Sequence, residues 1–458
     1  MLVSHHPVGA WKYLVLALAI LPALAAFWVA PPEGLSTAGL RAIGVAWITL
    51  TLWFLAPVPL AATGLLAVVL LPALGIVDDE RAFSYFGNRA VFFLLGVFIL
   101  TGALIRTGLS KRAALLFLSR VGQSPSRLVL GVLVLCSFLA LWMPEHAVAA
   151  MAYPVVLEIT RALGLRKGRS PLGTALFLAL AWGAISGGVG TLLGGARAPL
   201  ALEIAGQLGE ERITFATWAR AAVPISVIVT AIGFLLLRVR FRAEVASVEP
   251  ARRILSDELA LIGKMRSAEW RAGLIALTCI ALWITLGDRW GLALISVGAA
   301  VAVFFFRIAR WRDLVDYVNW NVIVMYGGAI ALGKALVETG AASYLAQHLP
   351  TAHVIPCYSG LGLIMSQAIS NAAAVVVVLP AGLGLAENAP ALTIAIAVAA
   401  GLAYCFPVST PANAIIDASG FVTRRQMAGL GVIMMLAGWI VLVLASLVYW
   451  PHIPGLGQ

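Results

Sequence analysis

The sequence predicts an all-α polytopic membrane protein, with about eleven transmembrane spans, two re-entrant hairpins and an inverted repeat with broken helices. Its 458 residues are 62% hydrophobic and only 11% charged, whereas soluble globular domains are about 25% charged. Apolar runs of about 20 residues, the length that crosses a bilayer, alternate with loops that carry the net charge of +11. So few polar residues could not coat a soluble protein of this size, which excludes a cytosolic enzyme. The dispersed basic loops argue against nucleic acid as a partner.

Each predicted span is one apolar run. We place the spans at 12–30, 38–55, 58–77, 90–108, 172–207, 221–239, 270–287, 290–306, 320–338, 391–423 and 427–449. The first run is too long for the core of a signal peptide and lacks a convincing cleavage site before Pro31. We therefore expect it to be retained as a span.

Two further apolar runs, 128–160 and 354–386, do not fit as simple spans. Each is too long for one crossing and is interrupted by polar residues, at Pro144-Glu145-His146 in the first run and at Ser370-Asn371 in the second. Irregular backbone is tolerated at membrane depth only where protein or a water-filled cavity surrounds it. Each run is therefore predicted to form a re-entrant helical hairpin.

The basic residues predict the orientation. Cytoplasmic loops of membrane proteins are rich in Lys and Arg, and most of the 31 basic residues here fall on one side if the first hairpin enters and leaves from that side. The segments 339–353 and 450–458, on the opposite side, contain none. We therefore expect a protein of the cell inner (cytoplasmic) membrane, with the N-terminus in the cytoplasm and the C-terminus outside.

An internal repeat relates a first half, ending at 241, to a second half, beginning at 270. Residues 103–108 (ALIRTG) resemble residues 335–340 (ALVETG), and Gly96 matches Gly328 at the same offset. In both halves a hairpin follows, and then an interrupted apolar run, at 187–199 and at 407–413. The charge pattern makes the copies antiparallel. Inverted repeats with discontinuous helices are typical of secondary transporters, with the substrate at the bilayer midplane.

Other classes of membrane protein explain fewer features. The four cysteines lie in apolar stretches without a C-x-x-C pair, so we expect buried thiols and neither a disulfide framework nor a metal site. Of the six histidines only His146 lies in a predicted core, which argues against an intramembrane enzyme. A channel would not explain the paired hairpins.

Four motifs resemble those of the divalent anion:sodium symporter family, within the ion transporter superfamily. They are FGN-x-AV at 86–91 through Thr107-Gly108, GGVGTLLG at 187–194, SNAAA at 370–374 with Leu379-Pro380, and STPANA at 409–414. The resemblance covers about residues 40–450. It implies a homodimer, an elevator-type motion of a transport domain against a scaffold, and di- or tricarboxylates or sulfate as the small anionic substrate.

The resemblance also implies a domain division. The scaffold would comprise 1–125 and 270–350. The hairpin and broken helix of the first half of the transport domain would occupy 126–241, and those of the second half 351–450. A basic cytoplasmic linker at 242–269 would join the two halves.

Site residues follow from the family's motifs, and the two halves differ. Family members carry Ser-Asn-Thr at each hairpin tip, where this chain has Ser370-Asn371-Ala372 and Pro144-Glu145-His146. A Thr-Pro-Pro-Asn type of break is nearly intact at 410–413 (TPAN) but is replaced by GGARAP at 194–199. The implied substrate-binding residues are Glu145, His146, Thr191, Arg197, Ser370, Asn371, Ala372, Thr410, Pro411 and Asn413.

The family binds a sodium ion in each half. In the second half the resemblance places the ligands on Asn371, Ser366 and a backbone carbonyl at Ser409, all chemically suitable. In the first half the same positions are Glu145, Ala140 and Gly190. Ala140 has no hydroxyl group and Glu145 replaces the amide, so the family's cation site is not expected there. Possible Na⁺ is the only cofactor that the sequence indicates.

Three interpretations of Glu145, His146 and Arg197 remain open, because charged groups in a membrane interior are costly and mark function or pairing. Arg197 could supply a fixed positive charge that holds the anion. Glu145 and Arg197 could neutralise each other as a structural pair. Glu145 or His146 could carry a proton as the coupling ion. The alternative function is a cation/proton antiporter of the same superfamily that exchanges ions at Glu145.

Overall fold

The structure is a computed structural model that describes residues 20–21, 28–55, 57–207, 213–242, 244–347 and 353–456. Within these ranges it is all-helical and contains no β-strand, which confirms the all-α part of the predicted fold class. The first predicted span, 12–30, lies largely outside the described residues.

The helices of the first half end at the start of a charged connection. They are α1 (Thr37–Leu55), α2 (Leu60–Ala73), α3 (Asp79–Ser84), α4 (Arg89–Thr107), α5 (Leu109–Val121), α6 (Pro125–Ala140), α7 (Glu145–Ala162), α8 (Pro171–Gly188), α9 (Arg197–Gln207) and α10 (Phe215–Arg240). The hairpin predicted at 128–160 corresponds to α6 and α7, and the interrupted run to α8 and α9.

The helices of the connection and of the second half follow in the same order. They are α11 (Glu249–Ile262), α12 (Ser267–Trp290), α13 (Leu292–Phe305), α14 (Trp311–Leu314), α15 (Trp320–Glu338), α16 (Ala341–Gln347), α17 (Val354–Ala368), α18 (Asn371–Leu383), α19 (Ala389–Gly401), α20 (Pro411–Ser419) and α21 (Arg424–Leu444). The second hairpin corresponds to α17 and α18, and the second interrupted run to α19 and α20.

The sequence repeat has the same local structure in both copies. The Thr107 hydroxyl at the end of α4 donates to the Ala103 carbonyl at 2.8 Å, and the Thr339 hydroxyl just after α15 donates to the Ala335 carbonyl at 2.7 Å. The glycine that follows each threonine has a left-handed backbone, with φ of 89° at Gly108 and 76° at Gly340. A left-handed glycine is a common way for a helix to end. The six-residue match therefore marks two equivalent helix ends.

The two broken runs pack across the halves. Helices α6 and α7 contact α8, and α17 and α18 contact α19, so each hairpin lies beside the broken run of its own half. The helix after each break packs on the other half: α9 contacts α18 and α19, and α20 contacts α7 and α8. This exchange places the two breaks next to each other in the core.

Helix length and composition identify membrane-crossing candidates. Among the described residues, six stretches are long and apolar enough to cross a membrane: Asp79–Thr107, Pro171–Gly188, Phe215–Arg240, Ser267–Trp290, Trp320–Glu338 and Arg424–His452. Further apolar helices, such as α2, α6, α13 and α17 to α19, have 10–17 residues. Such short apolar helices are typical of hairpins, broken spans and buried core.

Two charged helices were not expected. Helix α11 lies inside the predicted linker and packs on α5 and α7, and Lys111 on α5 forms an ion pair with Glu258 on α11.

Cys357 is a correction to the prediction of buried thiols. It lies in the first turn of α17 and is exposed, whereas Cys136, Cys279 and Cys405 are buried.

Close helix packing predicts that Gly328→Ala will be destabilising. A Cβ atom at Gly328 on α15 would overlap the Cα atom of Gly64 on α2. Small residues let membrane helices approach closely, and overpacking such a contact costs about 1–3 kcal/mol. Thermal unfolding in detergent should therefore show a lower midpoint for this variant. Gly298→Ala on α13 is the matched control, since nothing lies within 4 Å of its Cβ position, and an equal loss in both variants would contradict the prediction.

Candidate substrate and cation site at the helix breaks

The hairpin tip and the break of the second half are shaped by helix caps. The Ser370 hydroxyl accepts a hydrogen bond from the Ala373 amide at 3.2 Å and begins α18. The Thr410 hydroxyl accepts from the Asn413 amide at 3.1 Å and begins α20. Pro411 is the first residue of α20, where proline is favoured because it needs no hydrogen-bond acceptor there. Two helix N-termini are therefore capped by polar side chains, of which Thr410 is buried and Ser370 is half-buried.

The Asn371 side chain joins the hairpin tip to the break. Its amide lies 3.2 Å from the carbonyl oxygens of both Ala400 and Ser409. With its nitrogen on that side, the amide donates hydrogen bonds to both carbonyls. With its oxygen on that side, three oxygen atoms converge, and a cation between them would make that arrangement favourable. These are the Asn371 and Ser409 groups that the resemblance places around a cation.

The other polar groups of this break hold its backbone. The Asn413 amide nitrogen donates to the Ala403 carbonyl at 3.0 Å and to the Ser409 hydroxyl at 3.1 Å. The Asn413 amide oxygen is buried and makes no hydrogen bond within the described chain. The Ser366 hydroxyl donates to the Leu363 carbonyl of its own helix at 2.8 Å.

Gln367 is a functional candidate that the sequence reasoning missed. Its amide nitrogen donates to the Leu363 carbonyl at 3.0 Å, and its amide oxygen accepts from the Cys405 backbone amide at 3.2 Å. The side chain is buried and connects α17 to the break between α19 and α20. An amide within the apolar run 354–386, directly after Ser366, was the available signal.

In the first half a buried ion pair connects the hairpin tip to the break. Arg197, the first residue of α9, donates from Nη1 to Glu145 Oε2 at 3.3 Å. Glu145 is the first residue of α7, and its backbone amide donates to the Gly194 carbonyl at 2.9 Å. The side chains are 3% exposed for Arg197 and 6% for Glu145. A Cβ atom at Gly188 would lie 2.8 Å from Glu145 Oε2, so the glycine leaves room for the carboxylate.

Arg197 also reaches the second half. A Cβ atom at Gly401, the last residue of α19, would overlap the Arg197 Nε atom. The guanidinium group therefore lies against Gly401. The carbonyl of the preceding residue, Ala400, faces Asn371. Arg197 Nη2 is buried and has no hydrogen-bond partner within the described residues. Glu145, Arg197 and Asn371 thus belong to one continuous polar region between the halves, and Asn413 joins it through Ser409.

The remaining predicted residues lie around this region. The Thr191 hydroxyl donates to the Leu141 carbonyl at 2.5 Å and accepts from the Leu193 amide at 3.2 Å, so it fastens the first break to the first hairpin. His146 is half-buried, with its ring centroid 6.0 Å from that of Phe98. Ala372 is buried in the first turn of α18.

The available donors suit an alkali cation better than a transition metal. The described residues contain no group of three or more His, Cys, Asp or Glu side chains that could hold a metal ion. The oxygen atoms at the second break come from an amide, hydroxyl groups and backbone carbonyls. Hard cations prefer oxygen ligands of this kind, and a cation bound there would neutralise part of the charge of an anion nearby.

Comparisons with known proteins agree with this architecture. Residues 9–456 match the family described as the sodium:sulfate symporter transmembrane region. The chain is 29% identical to the sodium-dependent dicarboxylate transporter SdcS of Staphylococcus saprophyticus, over 93% of this chain and 89% of the relative. It is also 29% identical to SdcS of Staphylococcus aureus strain USA300, over 99% of this chain and 94% of the relative.

Two solved structures share the fold. The YdaH transporter of Alcanivorax borkumensis superimposes with a TM-score of 0.56 at 13% identity, over 88% of this chain and 99% of that one. MtrF of Neisseria gonorrhoeae, from a class of antimetabolite efflux pumps, gives a TM-score of 0.53 at 14% identity, over 97% of this chain and 94% of that one. The family and these relatives are transporters and not enzymes. This chain is a multi-pass membrane protein and belongs to the divalent anion:sodium symporter family.

Proposed function

We propose that the protein is a secondary active transporter that moves a small anion, a di- or tricarboxylate or a sulfate-like ion, together with Na⁺. The observation that carries the proposal is the Asn371 amide, held 3.2 Å from the Ala400 and Ser409 carbonyl oxygens. The two SdcS relatives, named as sodium-dependent dicarboxylate transporters, support both the ion and the class of substrate.

The Na⁺ ion would bind where the hairpin tip meets the second break. Its ligands would be the Asn371 amide oxygen and the carbonyls of Ala400 and Ser409. The Ser366 hydroxyl, on α17 of the same hairpin, would be a further ligand. The anion would lie beside it, near Ser370, Ala372 and Thr410, because helix N-termini attract negative charge. A cation and an anion that bind next to each other stabilise each other, which is the physical basis of coupling.

The wider architecture extends this proposal. We propose about eleven spans, two re-entrant hairpins and antiparallel halves in the inner membrane of the cell, with the N-terminus in the cytoplasm and the C-terminus outside. The scaffold would be 1–125 with 270–350, the transport domain 126–241 with 351–450, and 242–269 the cytoplasmic linker. A homodimer would hold the scaffolds while the transport domains move. Helices α9 and α20 each pack on the other half, which supports one transport unit built from both breaks.

Uptake by the purified protein in proteoliposomes tests the function. Radiolabelled succinate, citrate and sulfate should be screened with an inward Na⁺ gradient and with K⁺ in its place. At least one of these anions is expected to accumulate only with Na⁺. An antiporter that exchanges ions at Glu145 would instead move protons in response to Na⁺ without taking up any anion, and that result would contradict the proposal.

A further inference from the structure

The two halves place different chemistry at equivalent positions. Glu145 begins α7 as Asn371 begins α18, and Gly188 ends α8 as Gly401 ends α19. Arg197 begins α9 as Pro411 begins α20. In the second half the first residue of the hairpin helix points a neutral amide at carbonyl oxygens. In the first half the same position carries a carboxylate, and a guanidinium group binds it.

The backbone around this ion pair is shaped to accept it. A Cβ atom at Gly188 would press on the Glu145 carboxylate, and one at Gly195 or Gly401 would overlap the Arg197 guanidinium. Glycines therefore leave room for the ion pair on three sides, two from the first break and one from the second half. A free cation would compete with Arg197 for the same carboxylate.

The guanidinium group is only half satisfied. Nη1 is bound to Glu145 at 3.3 Å, whereas Nη2 is buried without a partner within the described chain. Buried N–H groups are nearly always paired, and an unpaired one in a native protein calls for an explanation. A planar guanidinium group matches a carboxylate or a sulfate in shape and charge. This one lies against Gly401, the residue that follows Ala400 of the proposed cation site.

We propose that Arg197 is a built-in cation that takes the place of a second sodium ion and binds the transported anion through Nη2. Glu145 is a positioning residue, which holds Nη1 so that Nη2 faces the anion. The inference rests on the proposed function. It implies that one Na⁺, and not two, is bound with each anion.

Thermal stabilisation of the purified full-length protein tests this, with NaCl as one ligand and succinate, citrate or sulfate added in Na⁺ as the other. We compare the wild type with Glu145→Gln, Arg197→Gln and the double variant. The wild type, Glu145→Gln and the double variant should respond to Na⁺ with a Hill slope near one. Arg197→Gln and the double variant should lose the anion response. Glu145→Gln should keep the anion response but reach half-saturation at a several-fold higher anion concentration, because the glutamine amide oxygen holds Nη1 less strongly than the carboxylate.

The double variant keeps the test valid if Arg197→Gln alone fails to fold, since it leaves no unpaired buried charge. Removal of another buried ion pair, with Arg112→Gln and Glu269→Gln together, is the control and should leave the anion response unchanged. The proposal is overturned if the double variant keeps the anion response of the wild type. It is also overturned if Glu145→Gln weakens that response as much as Arg197→Gln, or if the Hill slope of the wild type for Na⁺ is near two. A wild type that responds to neither Na⁺ nor any of the anions overturns the proposed function itself.

Discussion

Replacement of Asn371 by alanine is expected to abolish sodium-driven anion uptake and to raise the half-saturating Na⁺ concentration at least about tenfold. The loss of one ligand worth about 1.4 kcal/mol has that effect on affinity. Alanine removes the side-chain amide that lies 3.2 Å from the Ala400 and Ser409 carbonyl oxygens, and with it the proposed oxygen ligand. The remaining carbonyl oxygens would repel each other around an incomplete site.

The aspartate variant separates the two roles of this side chain. If the amide oxygen faces the carbonyls and binds Na⁺, Asn371→Asp keeps an oxygen ligand and should retain Na⁺-dependent stabilisation. If the amide nitrogen faces them as a hydrogen-bond donor, aspartate places a negatively charged acceptor against the partial negative charges of two carbonyl oxygens and should be as damaging as alanine. Equal loss in Asn371→Ala and Asn371→Asp would therefore reject the cation site.

The control for both variants is Asn319→Ala. Asn319 also begins a helix of the second half and accepts a hydrogen bond from the Val322 amide at 3.3 Å. Removal of such a cap costs about 1 kcal/mol of stability. It should lower the unfolding midpoint without changing the concentration of Na⁺ that gives half of the stabilisation.

Local chemistry made the breaks of the fold predictable. Ser370 and Asn371 interrupt a long apolar run, and a helix does begin at Asn371. Pro144 has no amide proton, and the next helix begins at Glu145, directly after it. Glycine at 188 and 194 and proline at 411 likewise mark where helices stop and start. At such positions the residue itself disfavours a continuous helix, so the sequence is sufficient.

Contacts between the halves could not be predicted in the same way. Arg197 and Glu145 lie on the broken run and the hairpin of the same half. The motifs already predicted that these two elements are neighbours. That the Arg197 guanidinium lies against Gly401 depends on how α9 packs on α19 of the other half, which no local pattern specifies. Helices α5 and α11 were missed for another reason: their charged residues lower the mean hydropathy, and a search for spans passes over amphipathic helices.

One of those missed helices carries a second buried ion pair, at the junction of α5 with the connection between the halves. Arg112 on α5 donates from Nε and Nη2 to the two carboxylate oxygens of Glu269, in the first turn of α12. Its Nη1 also donates to the Gly263 carbonyl at 2.7 Å, and both side chains are nearly fully buried. Because the carboxylate binds two nitrogens of one planar group, the pair fixes the direction in which α12 leaves the connection.

Arg112→Ala is therefore expected to destabilise the protein by about 3–5 kcal/mol, the cost of leaving one charge of a buried pair without its partner. Glu269→Ala should do the same, whereas the double substitution of both by methionine should cost much less, since no unpaired charge remains. Denaturant or thermal unfolding in detergent measures these differences. Arg252→Ala is the control, because its pair with Glu249 is 44% and 47% exposed and should contribute less than about 1 kcal/mol. Were Arg112→Ala no more destabilising than Arg252→Ala, the connection would be held by the packing of α11 on α5 and α7, and this ion pair would contribute only to orientation.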